Sequence, residues 1–451
     1  MSNASEVQEA GPVTSIESGQ IEGLSENGVD AYKNIPFGAD TGGANRFRPP
    51  QPVTPWQGIR PALEYGPWAP QEPGRLDRLK GAWDATMSED CLNLNLWRPS
   101  GDNTGMPVMV YIHGGGFSYG SANHIAHDGS ILARRGNMVV VSINYRLGVL
   151  GLLSHPCLRD PDTGYDGNWG FLDQIAGLQW INRNITAFGG DPDNVTIVGL
   201  SAGGGSVGAL CICPQVRSGA RPLFRRAVVQ SSSPLPTPRS DHDAAAATLL
   251  DELGVEADLA ADAIPKDDEQ LRGILDKAGL DGDHLIPAYR TARRARGESD
   301  DTWALWIAMH TDRLIRVPSI NFLADHAKRG NSAWACMVTR ECDWVPPVPG
   351  DKALGATHVV DLPFMFGSLH ATPELERLAG SAPGADELAE VIQDAYIAFI
   401  HTGSPVTEKL SAWRPYDGET RPTMLLGDEL VALDDPMGTE RQLMTDALAG
   451  A

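Results

Sequence analysis

From about residue 105 onward the chain alternates short unbroken apolar runs with longer stretches of helical periodicity. Pro107-Val108-Met109-Val110-Tyr111-Ile112 and Met138-Val139-Val140-Val141-Ser142-Ile143 are β-branched runs without polar alternation, the pattern of strands buried on both faces of a parallel sheet. Residues 194–199 and 226–230 repeat that pattern. Between them Phe171, Ile175, Leu178, Ile181 and Ile185 fall at helical spacing, which predicts a helix over 171–187 ending at the turn cluster Gly189-Gly190-Asp191-Pro192. The first hundred residues carry short extended runs such as 20–23 and 30–33. Residues 241–310 differ, being Ala-, Asp- and Arg-rich with helical spacing and no strand pattern, and read as a helical insertion or cap. A last strand at 334–339 and a helix at 387–401 follow. Strands alternating with helices predict one doubly wound α/β sheet, in a single domain over 11–445.

Composition narrows the possibilities. The 451 residues are 42% hydrophobic and 21% charged, ordinary for a globular chain and wrong for a fibrous or disordered one. With 36 Lys and Arg against 58 Asp and Glu the formal charge is −22, which repels phosphate backbones and anionic lipid heads. Nucleic acid and membranes are therefore not expected as partners. The polar, acidic start shows no leader pattern, and no stretch approaches the roughly 20 apolar residues that span a bilayer. Six scattered cysteines form neither a disulfide framework nor a paired metal-ligand pattern, so a reducing, cytoplasmic setting without a metal or other cofactor is expected.

Three segments match G-x-S-x-G: 116–120, 199–203 and 204–208. A nucleophile elbow needs a strand running straight into a sharp turn and then a helix, so that the serine oxygen stands above the helix N-terminus. Only Ser201, in Gly199-Leu200-Ser201-Ala202-Gly203, has a strand directly before it and a small-residue helix start behind it. Ser118 follows a glycine run and Ser206 falls inside the following helix, so both read as structural.

His113-Gly114-Gly115-Gly116-Phe117 directly follows the strand ending at Ile112. Consecutive glycines let backbone N–H groups approach a developing oxyanion, and losing one such donor costs roughly 3–4 kcal/mol. A phosphate loop would need the Lys and hydroxyl of G-x-x-x-x-G-K-[ST], which this segment lacks.

Further blocks stand in order around these two. They include Tyr32-Lys33-Asn34-Ile35-Pro36-Phe37, Ser88-Glu89-Asp90-Cys91-Leu92-Asn93, Asn144-Tyr145-Arg146-Leu147-Gly148, Asn168-Trp169-Gly170-Phe171-Leu172-Asp173-Gln174, Gly355-Ala356-Thr357-His358 with Asp361-Leu362-Pro363-Phe364, and Thr402-Gly403-Ser404-Pro405. Together they resemble the type-B carboxylesterase and cholinesterase family of α/β-hydrolases, over most of the chain except the middle segment. The resemblance implies a mostly parallel central sheet with helices on both faces. It also implies Ser201 as nucleophile, His358 as general base, the amides of Gly115, Gly116 and Ala202 as oxyanion hole, and Ser231 as a serine supporting the histidine. On its own residues His358 is one of 11 histidines in the right chain order for this fold.

The chain departs from the family at the third triad member. The acid of the resemblance should end a strand after the one at 226–230, and no such strand or motif stands between Ser231 and Asp312. Glu341 and Asp343 after the last strand, and Asp241 and Asp243 after the preceding one, are the carboxylates in reach, and each reads better as a solvated surface group than as the acid. Leu200 replaces the Glu that the cholinesterases often carry before the nucleophile. Trp83 lies closer to the Ser88 block than a choline-binding tryptophan would, and reads better as a packed loop aromatic. Both favour small neutral or aromatic esters. Ala69 stands where the family often has Cys, which leaves Cys91 without its usual disulfide partner. The expected function is a serine carboxylesterase acting on a small-molecule ester. A scaffold with weak or lost catalysis and an amide or carbamate hydrolase stand as alternatives.

Overall fold

The unbroken apolar runs become the middle of a seven-stranded sheet. The structure, a computed structural model, describes residues 11–72, 86–217, 221–232, 265–345 and 355–450. Two compact units emerge, one from Met1–Gln230 with Val338–Ser411 and one from Ser231–Met337 with Ala412–Ala451.

In the first unit β1 (Val13–Ile16), β2 (Gly19–Glu22) and β5 (Ile59–Pro61) form a small sheet. The large sheet takes β3 (Leu24–Glu26), β4 (Val29–Pro36), β6 (Asn93–Pro99), β7 (Met106–Ile112), β8 (Val139–Ile143), β9 (Gly190–Leu200) and β10 (Arg226–Gln230) in the order β10-β9-β7-β8-β6-β4-β3. The pairs β10/β9, β9/β7 and β7/β8 are parallel, and the N-terminal pairs β8/β6, β6/β4 and β4/β3 are antiparallel. Every residue of β7 and β8 is buried, as their lack of polar alternation requires.

Helix α1 (Trp169–Asn184) starts two residues before the predicted 171 and hands its last turn to a 3-10 segment, Ile185–Phe188. Its Ile175, Leu178 and Ile181 join the core with Val108, Val110, Val141 and Ile197. The predicted stop at 189–192 holds only for Gly189, which closes the helix at φ +78°; β9 already begins at Gly190 because Met106 pairs with it. Helices α2 (Ala202–Ile212), α3 (Asp361–Phe366) and α4 (Ala385–Thr402) complete what the site needs.

The second unit carries helices Asp268–Lys277, Gly282–Ala295 and Thr302–Thr311, where helical spacing predicts them. Each is started by an aspartate, Asp267, Asp281 or Asp301, whose side chain accepts the N–H three residues on. Leu271, Leu285, Tyr289, Leu305 and Met309 form their shared core. Residues 241–264 of the predicted helical segment lie outside the described residues. The strand expected at 334–339 forms as β11 (Ala335–Val338) but does not extend the large sheet. It joins β12 (Pro422–Leu426) and β13 (Leu430–Asp434) in a sheet of its own, while β10 is the outermost strand of the large sheet among the described residues.

Candidate active site

The parallel pairing of β9 with β10 places Leu200 opposite Gln230. Directly beyond it, the Ser201 N–H donates to the Gln230 carbonyl at 2.9 Å. Ser201 itself takes φ +58° and ψ −124°, and α2 begins at the next residue. A non-glycine residue held there is strained, and only surrounding structure keeps it so. The turn tolerates no side chain at 203, where a Cβ would stand 2.0 Å from the Ile112 carbonyl oxygen. The other two serines have structural duties. Ser206 is buried in α2 and accepts from Gln174 Nε2 at 3.0 Å, and the Ser118 N–H closes a turn onto the Gly115 carbonyl.

The glycine run lies against this elbow. A Cβ on Gly114 would come 3.0 Å from the Ser201 Cβ. Gly115 has φ +121°, and a Cβ there would collide with the Tyr119 carbonyl at 1.9 Å. Among the described residues neither the Gly115 nor the Gly116 amide donates to a backbone carbonyl. The Ala202 amide heads α2, at the positive end of its dipole. The run is braced from outside. The Tyr145 hydroxyl donates to the His113 carbonyl at 2.8 Å, its ring stacks on His113 at 4.4 Å, and Gln71 exchanges hydrogen bonds with the Gly120 backbone at 2.6 and 2.9 Å. Gln71 is a support that the sequence does not single out, two residues after the departure at Ala69.

His358 sits in the loop between the Gly355 turn and α3, half-buried. It lines the same small cavity, about 20 Å³, as Ser201, Gly114 and Gly115. The residue after it, Val359, is held at φ +71°, an outlier for a β-branched side chain. Backbone bonds in both directions between Cys342 and Gly355, each 2.9 Å, tie down the start of this loop.

The carboxylate nearest in sequence is Asp361, the first residue of α3. It accepts from Gln230 Nε2 at 2.9 Å, and desolvation pushes its carboxyl above the ordinary aspartate range. The Tyr111 phenol, fully buried at the end of β7, is pushed up by desolvation and then by the Asp361 charge. Asp361 stands in the Asp361-Leu362-Pro363-Phe364 block, so its position was legible; its pairing with Gln230 was not.

Of the carboxylates weighed for the triad, Glu341 and Asp343 flank the Cys342 bridge but are exposed and do not line the cavity. Asp343 is held below the usual range by hydrogen bonds from the Ser381 hydroxyl and amide. Asp241, Asp243 and Trp83 lie outside the described residues. Ser231 follows β10 at φ +48° and is partly exposed. Leu200 is buried and lines the cavity beside Ser201. Cys91 is buried and free, with its thiol pushed up by burial. Among the described residues no helix is long and apolar enough to cross a membrane, and no group of three or more His, Cys, Asp or Glu is arranged to hold a metal ion.

Comparison with known proteins bears directly on this arrangement. The model of the Carboxylesterase family matches residues 10–272 and 276–444. The chain belongs to the carboxylesterase family. With membership come the α/β-hydrolase fold and the reaction class of a carboxylic ester hydrolase. The chain is 32% identical to para-nitrobenzyl esterase of Bacillus subtilis (strain 168) over 95% of this chain and 98% of that one. It is 29% identical to phenmedipham hydrolase of Pseudarthrobacter oxydans over 93% and 95%. Among solved structures, a PNB esterase superposes with a TM-score of 0.76 at 30% identity, covering 96% of this chain and 99% of that one. A Geobacillus stearothermophilus carboxylesterase superposes at 0.75 with the same identity and coverage.

Proposed function

We propose that this carboxylesterase hydrolyses small neutral or aromatic esters through an acyl-enzyme on Ser201. Ser201 Oγ attacks the ester carbonyl, His358 takes its proton and returns it to the departing alcohol, and water then hydrolyses the acyl-enzyme. The amides of Gly115, Gly116 and Ala202 stabilise the oxyanion. The observation that carries this reading is the strained Ser201 elbow sharing one cavity with His358 and the glycine run. Buried, apolar Leu200 beside the nucleophile suits an uncharged substrate better than a cationic one, and para-nitrobenzyl esterase is among the relatives.

A second reading, an esterase fold with weak or lost catalysis, draws on β10 being outermost among the described residues and on the exposure of Glu341 and Asp343. Without an orienting acid a histidine loses its tautomer, at a cost of about 10⁴-fold in kcat in the best-studied case. Active-site titration with a fluorophosphonate separates the two. Stoichiometric labelling at Ser201, with hydrolysis of p-nitrophenyl butyrate, supports the esterase; a folded sample that takes no label overturns it.

A further inference from the structure

We propose that the side chains of Gln230 and Asp361 are positioning groups that set the reach from His358 to Ser201. This deepens the reading above and rests on it.

Two hydrogen bonds in series make the link. The Ser201 N–H donates to the Gln230 carbonyl at 2.9 Å, and Gln230 Nε2 donates to Asp361 Oδ2 at 2.9 Å. Asp361 stands three residues after His358, and the backbone between them is closed twice. The Val360 N–H donates to the Thr357 carbonyl at 3.2 Å, and the Leu362 N–H donates to the Val359 carbonyl at 3.2 Å. The two turns share Val359 and Val360, with His358 inside the first and Asp361 inside the second. Helix α3 is itself fixed. Its Leu362, Phe364, Met365 and Phe366 are buried, and Gln393 Nε2 donates to the Phe364 carbonyl at 3.0 Å. Asp361 therefore cannot shift without carrying His358, and Gln230 cannot shift without disturbing the Ser201 turn. The clamp runs from one to the other.

This clamp weakens the fold it sits in. Gln230 is buried, yet its Oε1 has no hydrogen-bond partner among the described residues. A buried carbonyl left unpaired is destabilising, whereas an apolar pair of similar shape is nearly neutral or better. Among the described residues the Gln230 side chain makes one hydrogen bond, and that bond goes to Asp361. Alignment explains what stability does not, because a misplacement of about 1 Å between reacting groups can slow a reaction about 10²-fold.

The experiment compares wild type, Gln230→Met/Asp361→Leu and Asp361→Asn in thermal melts and in steady-state hydrolysis of p-nitrophenyl butyrate. The double variant removes the orphan carbonyl and the carboxylate together, so its Tm should equal or exceed that of wild type. Its kcat should nevertheless fall about tenfold with KM held within about twofold. Asp361→Asn keeps an acceptor for Gln230 Nε2 and offers a donor to Oε1, so kcat should recover to within about threefold of wild type. Should the double variant not fold, Gln230→Met against Asp361→Asn carries the same comparison. Wild-type kcat in the double variant, a loss confined to KM, a kcat that falls only together with Tm, or an Asp361→Asn as slow as the double variant overturns the clamp. The esterase reading survives each of those results. A wild type that takes no fluorophosphonate overturns that reading, and this inference with it.

Discussion

The backbone N–H of Ser201 donates to the carbonyl of Gln230, and the side chain of Gln230 donates to Asp361. One residue at the end of β10 therefore anchors both the Ser201 turn and the first residue of the helix that follows His358. The Ser201 end of this arrangement predicts that Ser201→Ala lowers kcat for p-nitrophenyl butyrate by at least about 10³-fold, whereas Ser118→Ala and Ser206→Ala keep it within severalfold. Ser206→Ala should cost about 1 kcal/mol in urea unfolding, because it strips a partner from buried Gln174. Full activity in Ser201→Ala would sink the assignment.

Asp361 gives a stability profile. Its carboxyl is raised in the folded chain above its ordinary 3.8, so folding favours the protonated form. The associated stability is complete below the ordinary value and is lost as pH rises through the folded value. Thermal melts should therefore show Tm declining with pH above about 4 more steeply in wild type than in Asp361→Asn, which can still accept from Gln230. Superimposable profiles for the two proteins would refute this.

Arg146 and Asp173 form a buried bidentate pair, with Nη2 to Oδ1 at 2.6 Å and Nε to Oδ2 at 2.8 Å, and the Arg146 amide donates to the same carboxylate. Asp173→Ala leaves a buried guanidinium half-paired and should cost about 3–5 kcal/mol by denaturant titration. The Arg146→Met/Asp173→Leu double variant should lose less than the sum of the single losses; strict additivity would show the pair uncoupled.

Cysteine accessibility is the fourth test. Cys157 and Cys336 are exposed, while Cys91 and Cys342 are buried with thiols pushed up by desolvation. In native protein a maleimide should modify Cys157 and Cys336 within minutes, and Cys91 and Cys342 only in denaturant. Mass spectrometry of peptides reads the result, and rapid native labelling of Cys91 would contradict this burial.

Much of the first unit was legible because its strands are unbroken apolar runs and its helix α1 has clean periodicity. Ser201 could be chosen among three G-x-S-x-G matches because an elbow demands a strand, and only β9 runs into one. Sheet membership was harder to read. The run at 334–339 has a strand's composition, but composition does not say which neighbour supplies its hydrogen bonds, and β11 pairs away from the large sheet. Tyr111, His127 and Gln230 were invisible for a related reason. Within the sequence they look like a strand aromatic, a loop histidine and a strand end, and only packing brings Tyr111 and His127 to the cavity and Gln230 onto Asp361.

Val359 at φ +71° ties two selectable properties of the protein to one backbone angle. Glycine adopts that angle without steric cost, but Val359 is buried, so Val359→Gly trades relief of local strain against lost burial and a freer backbone beside His358. Backbone comfort and side-chain burial are then opposed at this one position, and the branched side chain keeps its place in the core by holding an angle that suits it poorly.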